Sequence, residues 1–109
     1  MIMKKLIELT PEWVLENLPD SMYADGYGTM SVYTENPDNA SWISLALNTL
    51  KIPFSESEFA ESDDWDDLMI SYRFKIEDIK ADCPSLYEFM KNLDRDNLQF
   101  KLNKGIGLN

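Results

Sequence analysis

Seven carboxylates lie between Glu56 and Asp67 (Glu56, Glu58, Glu61, Asp63, Asp64, Asp66 and Asp67), with no base among them. Such a run could ligate a divalent cation, serve a carboxylate-based, metal-dependent hydrolase, or present a negative surface to a cationic partner. Spacing argues against the first two. Asp63, Asp64, Asp66 and Asp67 superficially suggest a calcium or magnesium loop. The D-x-D-x-D-G…E spacing of an EF-hand is missing, however, and no glycine makes the sharp turn. The expectation is weak, nonspecific divalent binding and no specific metal site.

The third use gains from two aromatic residues, Phe59 and Trp65, placed inside the run. Aromatic side chains are enriched at the energetic centres of interfaces, and a merely solubilising loop has little need of tryptophan. The expected partner-binding residues are Glu58, Phe59, Glu61, Asp63, Asp64, Trp65, Asp66 and Asp67. The competing reading is a solvated loop that Phe59 and Trp65 pin to the core.

Other chemistries are narrower. The chain has no histidine, so Ser–His–Asp and Cys–His arrangements cannot form within it. One cysteine, Cys83, stands at or just before a helix start, where the dipole lowers a thiol pKa; neighbouring Asp82 opposes that shift, and a structural role is expected. Neither GxGxxG nor GxxxxGK[ST] occurs, and Gly26-x-Gly28 precedes a strand, so it reads as a turn. No catalytic residue and no cofactor is assigned. The segment Glu35-Asn36-Pro37-Asp38-Asn39 joins a strand to a helix and could hold a small polar ligand at helix N-terminal amides. Met69, Ser71, Arg73 and Lys75 lie on the less apolar face of the strongest strand, with Tyr33 of the 29–34 strand as the aromatic that could join that sheet face, a poor base-stacking surface for RNA.

Charge and size set the frame. The 109 residues suit one domain, and 44% hydrophobic content is globular. Twenty acids against ten bases give a net charge of −10, which repels nucleic-acid phosphates and anionic membranes and attracts basic proteins. No apolar run reaches membrane-spanning length, and Leu6-Ile7 is too short for a signal peptide's apolar region. With a single cysteine, the expected location is cytoplasmic.

The elements that must position these residues follow from periodicity. Residues 1–28 read as an N-terminal extension: Thr10-Pro11-Glu12 starts a short helix, and Pro19 to Gly28 is a loop. Residues 29–109 read as an α+β core forming one folded unit with it. Strands are expected at 29–34, more weakly at 54–59, at 68–76 and at 98–102. Helices are expected after Asp38 or Asn39, carrying Trp42, Ile43, Ala46, Leu47 and Leu50, and from Pro84, carrying Leu86, Phe89, Met90 and Leu93. The order β-α-β-β-α-β is the ferredoxin-like, split βαβ order; the fallback is an irregular α+β sandwich of an antiparallel sheet and two to three helices. The leading expectation is a non-enzymatic acidic interaction module for a basic protein partner, an inhibitor or nucleic-acid mimic that contacts no nucleic acid or membrane itself. The alternative is a small-molecule-sensing regulatory domain of ferredoxin-like topology, a homodimer through its sheet.

Overall fold

In the computed structural model, residues 10–60 and 68–104 are described. They form an α+β fold of three helices and a four-stranded antiparallel sheet. In chain order these are α1 (Pro11–Asn17), β1 (Ser21–Ala24), β2 (Thr29–Thr34), α2 (Pro37–Thr49), β3 (Phe54–Ala60), β4 (Leu68–Lys75), a 3-10 turn (Ile76–Ile79) and α3 (Pro84–Asn103). The sheet runs β1-β2-β4-β3. Because β2 and β3 each pair antiparallel with β4, they are parallel to one another. The β2–α2–β3 connection therefore leaves β4 between its two strands.

Local chemistry sets the helix starts. The Thr10 hydroxyl accepts from the Trp13 amide at 3.1 Å, and Pro11 follows in the first turn, where no amide hydrogen is needed. In α2 the capping residue is Asn36, not Asp38 or Asn39: its Oδ1 accepts from the amides of Asp38 and Asn39 at 2.8 and 3.3 Å. Pro37 occupies the first helical turn, which leaves the preceding asparagine as the extended cap.

One sheet face carries Ala24, Met30, Val32, Tyr72 and Phe74, all buried. Against them pack Ile43 and Leu47 of α2, Leu86 and Met90 of α3, and Ile76 and Ile79 of the 3-10 turn. The Tyr72 hydroxyl crosses this layer and donates to the Ala40 carbonyl at 2.9 Å.

After α1 the strands and α-helices run β-β-α-β-β-α, not the expected β-α-β-β-α-β, and two segments account for the difference. Residues 98–102 are not a strand but the last part of α3. Phe100 and Leu102, which suggested alternation, are 55% and 40% exposed. The helix there is held by polar side chains at i, i+3 and i+7: Asp94, Asn97 and Lys101 bond backbone groups of the hairpin between β1 and β2. Second, the stretch 19–28 is not all loop. Ser21–Ala24 pairs with β2, in register from Ser21 opposite Tyr33 to Ala24 opposite Met30, and takes the sheet position beside β2.

Candidate functional site

The two described residues of the expected interface, Glu58 and Phe59, lie side by side on β3, the sheet-edge strand leading into residues 61–67. Glu61, Asp63, Asp64, Trp65, Asp66 and Asp67 lie outside the described residues. The weakly alternating segment 54–59 is a strand, extending to Ala60. Its pairing with β4 is continuous, from Phe54 opposite Phe74 to Ala60 opposite Leu68.

That register distributes the β3 side chains. Glu56 sits opposite Tyr72 and Glu58 opposite Ile70, which places both acids on the helix-bearing side of the sheet. Both are exposed. Neighbouring acids on one strand face stand about 6.8 Å apart at 3.4 Å per residue. Burial first, and then the Glu56 carboxylate beside it, push the Tyr72 hydroxyl well above the usual tyrosine range.

Ser55, Ser57 and Phe59 take the other, open side. Phe59 faces Met69 in register and reaches across β4 to Tyr33 of β2, ring centroids 5.9 Å apart and planes at 89°. This edge-to-face pair is favourable for two aromatic quadrupoles. Beneath it Met69 is 6% exposed, although it belongs to the strand's nominally polar face. Next to it the Ser57 and Ser71 hydroxyls share a 2.8 Å hydrogen bond. Phe59 itself is 40% exposed. It is therefore both anchored and presented, a combination the choice between a solvent-facing and a core residue did not anticipate.

The same open face changes sign along β4. Arg73 and Lys75, both exposed, lie opposite Ser55 and Thr29 respectively, at the end away from Phe59. A shallow concavity there is lined by Thr29, Ser55, Arg73, Lys75 and Asp78 together with apolar residues. A second groove, between α1 and α2, has a volume of about 170 Å³ and is lined by Thr10, Pro11, Val14, Trp42, Leu45, Ala46 and Thr49, with no ionisable side chain.

The other sequence candidates have structural employment. Cys83 stands at the N-cap position of α3 without a side-chain capping bond and is buried, and its thiol is pushed up to about 11, first by burial and then by Glu12 and Asp82. At neutral pH it is a protonated, apolar-like packing group. In the 35–39 segment, Asn36 already occupies the Asp38 and Asn39 amides, and Asp20 accepts from the Glu35 amide and the Thr34 hydroxyl. Among the described residues, no group of three or more acidic or cysteine side chains converges on a metal-sized site. No helix among them is long and apolar enough to cross a membrane.

One polar site was missed from the sequence. The buried Asp94 carboxylate accepts from the Gly26 amide at 2.7 Å and the Gly28 amide at about 3.1 Å. Asn97 donates to the Ala24 carbonyl at 2.6 Å and Lys101 to the Asp25 carbonyl at 2.5 Å. Gly26 and Gly28 have φ of 89° and 92°, conformations that side chains disfavour. These groups pin the β1–β2 hairpin to α3. The available signal was the Asp25-Gly26-x-Gly28 turn pattern, followed by helical spacing of polar rather than apolar residues.

Comparison with models of known protein families, with curated proteins and with solved structures gives no match in any of the three.

Proposed function

We propose that the chain is a non-enzymatic, cytoplasmic interaction module that presents an acidic, aromatic-anchored edge to a basic protein partner. It would act as an inhibitor or by occupying a nucleic-acid-binding surface of that partner. The single observation carrying this reading is the pairing of Glu58 with Phe59 on an exposed edge strand. A carboxylate stands on one side of that strand and a half-exposed ring, held edge-on by Tyr33, on the other. A ring already oriented by its neighbour loses little further freedom on binding, and surrounding acids supply attraction and orientation at long range. In the sequence, β3 is followed by the five carboxylates and one tryptophan of residues 61–67. A net charge of −10 makes basic surfaces the favoured encounter. Within the same proposal, residues 21–103 follow a ferredoxin-like plan in which β1 takes the last strand position.

The experiment is a pull-down from the protein's own host, comparing wild type with a variant neutralised by Asp63→Asn, Asp64→Asn, Asp66→Asn and Asp67→Asn. The expected result is a basic protein retained by wild type, lost from the variant and released by salt. Equal recovery by both proteins overturns the proposal.

A further inference from the structure

The two edges of the sheet are protected unequally. At the β1 edge, α3 lies alongside, and Asn97 and Lys101 use the Ala24 and Asp25 carbonyls. At the other edge, among the described residues, β3 pairs only with β4 and no strand lies along its outward amides and carbonyls. Edge strands are ordinarily blunted by lysine, proline, a bulge or shortness. The β3 sequence Phe-Ser-Glu-Ser-Glu-Phe-Ala has neither lysine nor proline, spans seven residues, and keeps an unbroken one-to-one register with β4. Within β3 the charged residues are Glu56 and Glu58.

Those two acids are selective guards. A second copy pairing antiparallel about Ser57 would set Glu56 against Glu58 of the copy, twice by symmetry. Like charges directly opposite destabilise a strand pair, and each copy would bring a further net charge of −10. A strand with Lys or Arg at alternate positions meets the opposite situation: both cations fall beside Glu56 and Glu58, on the same side of the sheet. Its intervening residues fall on the open side, beside Ser57 and the Phe59 ring, where small or apolar side chains fit.

We propose that the free edge of β3 takes up an extended basic segment of the partner protein as a fifth strand, with alternate Lys or Arg residues paired to Glu56 and Glu58. This rests on the acidic-module reading above and specifies how it recognises its partner. Backbone hydrogen bonds hold the segment, and the two carboxylates and Phe59 select its sequence.

The test uses the full chain and a synthetic peptide alternating lysine with valine or threonine. Two N-methylated forms accompany it, blocking either the odd-numbered or the even-numbered amides. In an added strand only every second amide faces the protein, so only one frame of methylation matters. The expected result is that one form loses affinity at least about tenfold while the other stays within about twofold of the parent, since tenfold is about the worth of one to two hydrogen bonds. Glu56→Gln with Glu58→Gln is expected to weaken all binding peptides alike. Equal binding of both methylated forms overturns strand addition and leaves an attachment by charge alone, which the acidic-module reading survives. No binding by the parent peptide also overturns strand addition; the acidic-module reading is then decided by the host pull-down, which does not depend on the peptide.

Discussion

Removing the Asp94 carboxylate is expected to unlatch the β1–β2 hairpin from α3, with a cost that can be worked from the geometry. Asp94→Ala leaves two backbone donors without an acceptor, the Gly26 amide at 2.7 Å and the Gly28 amide at about 3.1 Å. Gly26 is buried, so its amide loses a charge-assisted bond with no water in exchange, about 2 kcal/mol. Gly28 is half-buried and can recover a water, which limits its share to about 1 kcal/mol. The sum, about 3 kcal/mol, is a large fraction of a small domain's stability and corresponds to a fall in Tm of roughly 15 °C at about 5 °C per kcal/mol. Asp94→Asn keeps one acceptor oxygen and turns an amide donor toward the other glycine, so roughly half the loss is expected. Urea denaturation followed by far-UV circular dichroism measures both variants, with the slope m expected unchanged. A loss below about 0.5 kcal/mol for Asp94→Ala would refute the claim that this carboxylate holds the hairpin.

Gly26→Ala is expected to destabilise by more than about 1 kcal/mol, because φ is +89° and the new Cβ would stand 3.2 Å from the Leu98 backbone nitrogen; thermal melting checks it. Tyr72→Phe removes the buried bond to the Ala40 carbonyl and should cost about 1 kcal/mol by denaturant titration. The Cys83 thiol, raised to about 11, should be labelled by a thiol reagent at pH 8 far more slowly in the native state than in denaturant. Because its folded pKa lies above the unfolded value, the stability it contributes is complete below about pH 8.5 and is lost as pH rises toward 11. The raised Tyr72 hydroxyl adds to that alkaline loss from about pH 10 upward, and Cys83→Ala should remove only the earlier part.

The elements legible in the sequence were those whose apolar residues carry the packing. The alternation of Leu68 to Lys75 and the Ile43-Ala46-Leu47 stripe both lead directly to β4 and α2. Thr10-Pro11 and Cys83-Pro84 mark the starts of α1 and α3, since proline's fixed φ and missing amide hydrogen fit a first turn. The second half of α3 was opaque because polar contacts hold it: Leu98, Phe100 and Leu102 imitate a strand, while Asp94, Asn97 and Lys101 make the bonds. β1 was hidden by brevity, four residues between Asp20 and a glycine-bearing turn. At the candidate site, type and spacing pointed to Glu58 and Phe59. The ring's resting place on Tyr33 depends on β2 and β3 flanking β4, a long-range pairing that no local pattern encodes.

The proposed meeting of the β3 edge and the acidic residues 61–67 with a basic partner protein can be tested at the Phe59 ring. The most direct measurement places a photo-reactive benzoylphenylalanine at position 59 of the full chain in its own host and identifies what it captures on irradiation. One dominant adduct to a basic protein is expected, lost when Asp63, Asp64, Asp66 and Asp67 are changed to Asn. Adducts only between copies of this chain, or a partner captured equally well after neutralisation, would contradict it.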